Sequence, residues 1–377
     1  MSALETVRVG IVGPSWWVDY WHLVAIKAHP QAEIVAVCGE RPRALAEVQS
    51  QYGTSARYFT RYEDMLEQVS LDGVIVCTPN DLHYPVTMAA LHRGLHVHCE
   101  KPLALNAAQA REMAQTARAR GLIGMTNFPY RDNPCVQRMR QMLSQGAIGT
   151  PLHIVGSYSG GFGLLRPPNW RGWRDRSGAG ILGDLGSHLI DLARFVTGQE
   201  FRSVCAHTLT ALWSGEGLPP QLVRTEDSRA GNRNDDACAF LAGFDTGMQG
   251  VFHTSWVAEQ GHYRQEQILE VCGTRGRLRF TATHGGTCLQ QLRAEPGRWE
   301  VIPVAGTVRP DEADGEDEDY FRPGRHTPSN TTYRWIEAIR TGAQQVSPDL
   351  EDGWRAQQVI DAVLRASAEQ RWIDVEV

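Results

Sequence analysis

Over residues 1–125, short runs of Val and Ile alternate with stretches of helical character, and this alternation restricts the fold more than any other feature. Val7–Val12 reads as a strand, followed by a Gly-containing turn and a helix-compatible stretch at 21–29. A second strand at 33–38 precedes a helical pattern at 43–52, and a third at 73–77 precedes a helix at 84–93. Strand 96–99 and helix 107–120 complete the series. The 73–77 run is continuously apolar, as expected of a parallel strand covered on both faces. Parallel neighbours need long crossover connections, which helices of about 10–15 residues supply, so 1–125 is expected to form an α/β, doubly wound parallel sheet.

Beyond Pro151 the texture changes to strands at 152–158, 237–244, 250–256, 267–271 and 278–281, joined by turns and without intervening helices. That pattern predicts a large, mainly antiparallel open sheet. With helices at 181–197, 333–340 and 353–369 it makes 126–377 an α+β second domain. A chain of 377 residues exceeds what one core usually fills. The formal charge of -6 is concentrated in seven carboxylates between Asp311 and Asp319, a run that reads as a solvated loop. With no basic stripe and a pI near 6.1, nucleic acid is excluded as a partner. No stretch approaches the roughly 18–20 apolar residues of a membrane span, and the N-terminus lacks a leader pattern, so a cytoplasmic protein is expected. The eight cysteines are scattered without a C-x-x-C pair and read as reduced thiols.

The turn after the first strand, G-I-V-G-P-S-W-W-V at 10–18, supplies only Gly13 of a G-x-G-x-x-G fingerprint; Ser15 and Val18 stand where the other glycines would be. Alone it reads equally as a plain turn or as a phosphate cradle formed by Gly13, Pro14, Ser15 and Trp16. The third strand ends in C-T-P-N-D-L-H, with Thr78, Asn80 and His83, and the fourth in H-C-E-K-P-L, with Glu100 and Lys101. Ligands of doubly wound sheets bind outside the carboxyl ends of the strands, so these groups are expected at a cofactor. The first domain is therefore expected to be a Rossmann domain. His96 and His98 share one face of a strand, but no carboxylate or cysteine cluster in the sequence completes a metal shell, so no metal is expected.

These residues resemble the Gfo/Idh/MocA family, relatives of glucose–fructose oxidoreductase and inositol dehydrogenase. The resemblance covers nearly the whole chain through G-L-H-V-H-C-E-K-P at 94–102, Y-R-D-N-P at 130–134, G-I-L-G-D-L-G-S-H-L-I-D at 180–191, E-V-C-G-T-R-G at 270–276 and the tail from Pro348. It implies an NAD(P)-dependent dehydrogenase or reductase acting on a secondary hydroxyl or ketone of a sugar, polyol or related small molecule. It further implies that Lys101, Asp184 and His188 meet at that hydroxyl. Asp184 and His188, spaced i,i+4, would share a helix face. Histidine can take the hydroxyl proton and a lysine ammonium can stabilise the alkoxide, with Asp184 orienting both.

The resemblance places Trp170 and Arg171 by the cofactor and active site; the alternative is a core tryptophan and a surface arginine. It places Tyr130 and Arg131 at the substrate and Asn127 nearer the nicotinamide. An open sheet of this family commonly forms a subunit interface, so a homodimer or homotetramer is expected. A catalytically silent dinucleotide-binding sensor is the competing function, against which the presence of Lys101, Asp184 and His188 argues. Cofactor choice turns on V-C-G-E-R-P-R at 37–43: Gly39 stands where NAD-specific members carry Asp, and Arg41 and Arg43 could bind a 2′-phosphate. Glu40 pulls towards NAD by reaching the ribose. The segment leans slightly to NADP.

Overall fold

The computed structural model describes residues 5–40, 49, 55–165, 169–210, 232–258, 265–283, 285–293, 295, 297–307, 330–343 and 345–376. The helical pattern at 43–52 (Gln49 apart), Arg41, Arg43 and the acidic run 311–319 lie outside the described residues. The chain divides into two compact units, residues 1–129 with 328–357, and 130–327 with 358–377. Residues 328–357, grouped by the sequence reading with the second domain, thus pack in the first unit.

In the first unit six strands, β1 (Val7–Val12), β2 (Ala32–Cys38), β3 (Arg57–Phe59), β4 (Gly73–Val76), β5 (His96–Cys99) and β6 (Gly124–Thr126), form one sheet in the order β3-β2-β1-β4-β5-β6. Every pairing is parallel. β3 and β6, three residues each, went unseen in the sequence because a run that short carries no periodicity. Burial explains the continuous apolar strands: Val9, Ile11 and Ile75 pack with Trp335, Ile336 and Ile339, while Val74, Val76 and Val97 pack with Val86, Leu91, Met113 and Leu350. The first set faces the helix α7 (Thr331–Thr341); the second faces α3 (His83–His92) and α4 (Ala107–Ala119), so both faces are covered. Among the described residues, the helices that precede these in chain order are α1 (Val24–Ala28) and α2 (Tyr62–Gln68).

The expected helix at 21–29 begins earlier and is wound differently. Val18–Leu23 is a π-turn, in which each N–H reaches five residues back, and α1 follows it.

Among the described residues of the second unit, β7 (Pro151–Gly160), β8 (Phe201–Leu209), β9 (Ala237–Phe244), β10 (Gln249–Ser255), β11 (Gln265–Gly273), β12 (Gly276–Thr283), β13 (Gly286–Arg293), β14 (Trp299–Val301) and β15 (Ile373–Asp374) form one sheet in the order β14-β13-β12-β11-β7-β10-β9-β8-β15. The sheet is mixed: β7 and β10 (Gln249–Ser255) run parallel, and the remaining pairings are antiparallel. Strands β8 (Phe201–Leu209), β13 (Gly286–Arg293), β14 (Trp299–Val301) and β15 (Ile373–Asp374) add to those expected. Alternation is plain in β7 and in β9 (Ala237–Phe244): Ile154, Tyr158, Phe240 and Phe244 are buried, whereas Val155 and Leu241 are exposed. Helices α5 (Pro134–Ser144) and α6 (Ser187–Thr197) belong to this unit, and α8 (Leu350–Glu369) begins in the first unit and ends in the second. Among the described residues no helix is long and apolar enough to cross a membrane.

Candidate active site

Two groups of expected residues are each assembled within one unit. In the first, the strand order turns back between β1 and β4, and the groups that follow these strands flank this switch point. Gly13 adopts φ +89°, and a Cβ there would stand 2.5 Å from the Cys77 carbonyl oxygen. The glycine is thus required both by conformation and by the close approach of the two turns. Ser15 Oγ lies 3.8 Å from Cys77 Sγ, Pro14 is half-buried, and Trp16 is 55% exposed with its ring edge-on to Trp17. Thr78 Oγ1 is out of solvent and has no hydrogen-bond partner among the described residues. A glycine-lined approach and an unsatisfied buried hydroxyl fit a dinucleotide, whose oxygens can take up such groups.

Glu100 is the centre of this group. Its Oε1 accepts from Trp17 Nε1 (2.8 Å), His22 Nε2 (3.0 Å) and Asn127 Nδ2 (2.6 Å), and its Oε2 from the Lys101 backbone N–H (3.2 Å). Burial alone would raise this carboxyl, but the hydrogen bond from His22, its electrostatic pull, the Lys101 ammonium and Asn127 outweigh it and hold the pKa at about 2. His22, Cys77 and Glu100 bring possible metal-ligand atoms within 4.8 Å of one another. The carboxylate oxygen at their centre already accepts three N–H groups, one from an indole that cannot become a ligand, so the set is built as a hydrogen-bonded carboxylate.

Of the other expected cofactor residues, Asn127 is fully buried: its amide N–H group holds Glu100, and its oxygen accepts from Thr331 Oγ1 at 2.8 Å. Asn80 is buried at the start of a single turn, Asn80–Leu82. His83 sets its ring nitrogens 2.9 Å from the Pro102 carbonyl and 3.0 Å from the Thr78 carbonyl, bracing the two loops against each other. Burial pushes its pKa down despite those two acceptors. Glu40 is exposed at the end of β2. His96 accepts from the Ile123 N–H through Nδ1, and His98 is buried edge-on to His22.

In the second unit Asp184 and His188 are not on one regular helix. Leu182–Gly186, which carries Asp184, is again a π-turn, and α6 with His188 continues from it. Asp235 sets the start of this turn by accepting from the Gly180 and Leu182 N–H groups, both at 2.8 Å. A Cβ on Gly180 would stand 2.1 Å from the Asp235 carbonyl oxygen, so the chain passes there only as glycine. Asp184 Oδ2 lies 3.3 Å from Arg171 Nε, and that guanidinium stacks at 4.3 Å on Trp170. The His188 ring is buried, 4.5 Å from that of Tyr130, whose hydroxyl lies 2.7 Å from the Tyr158 hydroxyl. Tyr158 in turn donates to Gln265 Oε1 at 2.8 Å.

Arg131 departs from the place expected of a substrate residue. It is buried, it donates to Asp191 through Nε at 2.9 Å, and its guanidinium lies over the Phe195 ring. An arginine so committed anchors α6 and acts on the site through it. His22, Trp17, Thr331, Thr332 and Asp235 were missed by the sequence reading. Their only signal was a polar side chain in an otherwise apolar or loop segment, which is shared by many residues without such a role.

The model of the oxidoreductase family with NAD-binding Rossmann fold matches residues 7–128, and that of the GFO/IDH/MocA C-terminal domain matches 136–279. The levoglucosan dehydrogenase of Pseudarthrobacter phenanthrenivorans is 26% identical over 99% of both chains. The 1,5-anhydro-D-fructose reductase of Ensifer adhaerens is 30% identical over 72% of this chain and 74% of that protein. A solved structure of levoglucosan dehydrogenase in complex with NADH and levoglucosan has the same fold, with a TM-score of 0.82 at 24% identity over 99% of this chain and 100% of that one. The chain belongs to the Gfo/Idh/MocA family of oxidoreductases, and its first unit carries the family's NAD-binding Rossmann fold.

Proposed function

We propose that the protein is an NAD(P)-dependent dehydrogenase or reductase acting on a secondary hydroxyl, or the matching ketone, of a sugar, polyol or related small molecule. The first unit binds the dinucleotide and the second the substrate. The observation that carries this reading is the switch point of the parallel sheet. There Gly13 leaves room that a Cβ would fill, and Thr78 Oγ1 is buried without a partner among the described residues. Relatives named for levoglucosan, 1,5-anhydro-D-fructose and inositol support the substrate class.

When bound, the nicotinamide accepts or donates the hydride. Loss of hydride from a carbinol carbon requires loss of the hydroxyl proton, and His188 takes it; the Lys101 ammonium stabilises the oxygen as its charge grows. Asp184, balanced by Arg171, orients the hydroxyl. Trp170 supports Arg171 by stacking, and Tyr130 backs the His188 ring.

The cofactor is NADP in preference to NAD. Gly39 removes the carboxylate that would repel a 2′-phosphate, and Arg41 follows Glu40 directly. Arg41→Ala is expected to weaken NADP binding more than NAD binding, and equal weakening, or a tighter grip of the wild type on NAD, assigns the choice to Glu40.

Assembly as a homodimer or homotetramer uses the open face of the second unit's sheet. Val155, Val251 and Leu241 stand side by side across β7, β10 and β9 and, with Leu209, are 43–49% exposed. The experiment that tests the whole reading is a panel of sugars and polyols followed by absorbance of the reduced nicotinamide, with NAD and NADP in parallel. No turnover with any member of the panel, by protein that binds either cofactor, would overturn the proposed substrate class.

A further inference from the structure

We propose that His22, held from behind by Thr332, is a positioning residue for the dinucleotide. With Trp17 and Asn127 it fastens Glu100 Oε1 and so leaves Oε2 as the oxygen that a hydroxyl of the bound dinucleotide meets. The inference rests on the NAD(P)-binding reading of the first unit.

Three N–H donors converge on Oε1, whereas among the described residues Oε2 takes only the longer bond from the Lys101 N–H. A carboxylate offers about four lone-pair directions, so the lightly used oxygen is the one with capacity for a ligand. The carboxylate can only accept, which means that His22 Nε2 carries the proton of that contact. The other ring nitrogen lies 2.8 Å from Thr332 Oγ1, and both His22 and Thr332 are buried. The neighbouring Thr331 performs the same service for Asn127, its hydroxyl donating to Asn127 Oδ1 at 2.8 Å. Two adjacent threonines at the start of α7 therefore orient two of the three donors to Glu100, although they lie 310 and 204 residues away in sequence from the side chains they hold. A helix added to a parallel sheet for packing alone has no need of such a pair at its first turn.

The other titratable groups near Glu100 are Lys101, Cys77 after β4, His83 at the start of α3 and His98 on β5. Burial holds His83 and His98 below the ordinary imidazole range. Removing His22 leaves the burial of Glu100 less opposed, so the carboxyl then protonates at a higher pH and dinucleotide binding acquires an acid limb.

The test is calorimetric titration of the full-length protein with the oxidised cofactor, from about pH 8 down to about pH 5, alongside thermal unfolding. His22→Leu should bind about tenfold or more weakly at neutral pH, the cost of one hydrogen bond to a charged group, and should weaken further as the pH falls while the wild type stays flat. His22→Gln, whose amide nitrogen reaches the place of Nε2, should return to within about threefold of the wild type. His22→Asn, which reaches only the place of Nδ1, should behave like His22→Leu. A purely structural His22 would lower the unfolding temperature in these variants but leave the affinity of the folded protein and its flat pH profile intact, and that result overturns the proposal. Thr332→Val serves if His22→Leu does not fold: about threefold weaker binding supports the proposal and wild-type binding overturns it. Wild-type protein that binds neither NAD nor NADP would instead remove the cofactor reading on which the proposal stands.

Discussion

Glu100 in the first unit and Asp235 in the second are both buried carboxylates, and they are held by opposite means. Glu100 receives the side-chain N–H groups of Trp17, His22 and Asn127, with the Lys101 ammonium nearby, and its pKa is held at about 2. Asp235 is served by backbone N–H groups at the start of a helical turn, and burial wins, raising its pKa. Four side chains drawn from three segments, with Thr331 behind Asn127 and Thr332 behind His22, keep charge on Glu100, where the proposed ligand would use it. Local backbone does for Asp235 only what a cap does: it fixes the course of the chain into Asp184 and His188. Under the proposed function, the first arrangement serves a site and the second is scaffolding.

The severest test of that division is Lys101→Ala. If its ammonium stabilises the developing alkoxide as proposed, its loss should lower turnover by about 10³–10⁴-fold, with folding and dinucleotide binding retained. Turnover within about tenfold of the wild type would show that the ammonium beside Glu100 takes no part in the chemistry. On the scaffolding side, Asp191→Ala removes the carboxylate that the buried Arg131 guanidinium grips. It should cost about 3–5 kcal/mol in denaturant unfolding. A much smaller cost would mean that the other contacts of Arg131, Phe195 among them, hold the guanidinium without Asp191.

Acid unfolding separates the two carboxylates by sign. The folded pKa of Glu100 lies below its ordinary value of 4.5, so its contribution is complete above about pH 4.5 and is lost as the pH falls towards about 2. At about 1.4 kcal/mol per pH unit, Glu100→Gln should cost about 3 kcal/mol near neutrality and should flatten the acid limb of stability. Asp235 is raised, so the folded state is penalised for its charge at neutral pH and is relieved as the pH falls through the raised value. Asp235→Asn should therefore remove a gain on acidification, not a loss. Denaturant midpoints at stepped pH read both, and the same sign for the two variants would dissolve the contrast.

This difference also decides what was legible in the sequence. E-K-P stands immediately after a strand, so Glu100 and Lys101 could be read directly, and the Val/Ile runs disclosed the parallel sheet that presents them. Asn127 was reached through the family resemblance, but Trp17 and His22 could not be read, because they are separated from Glu100 by 83 and 78 residues and are brought to it only by the order of the strands. Regular helix spacing put Asp184 and His188 on one face, but the π-turn at Leu182–Gly186 interrupts that spacing, and periodicity carries no mark of a π-turn. Likewise, strands without helices between them predicted antiparallel neighbours. β7 and β10 are parallel because β8 and β9 intervene in the chain and lie to one side in the sheet, an ordering that no local pattern encodes.

The smallest expected effect belongs to Tyr158→Phe, where the contrast is between charged and neutral networks. The Tyr158 hydroxyl lies 2.7 Å from that of Tyr130 and donates to Gln265, and the Tyr130 ring stands against His188. The bonds named in this chain join two phenol hydroxyls and an amide, and a neutral hydrogen bond contributes about 1 kcal/mol. Removing the hydroxyl should therefore lower stability by about that amount. It should reduce turnover only a few fold, because Tyr130 loses one of the contacts that hold its ring against the imidazole. Affinity for the dinucleotide should not change, since no member of the chain belongs to the first unit. Turnover, cofactor affinity and unfolding measured on the same preparation check all three at once. A loss of turnover as deep as that of Lys101→Ala would mean that the Tyr158 hydroxyl belongs to the chemistry, and that the second unit too holds a site built from distant side chains.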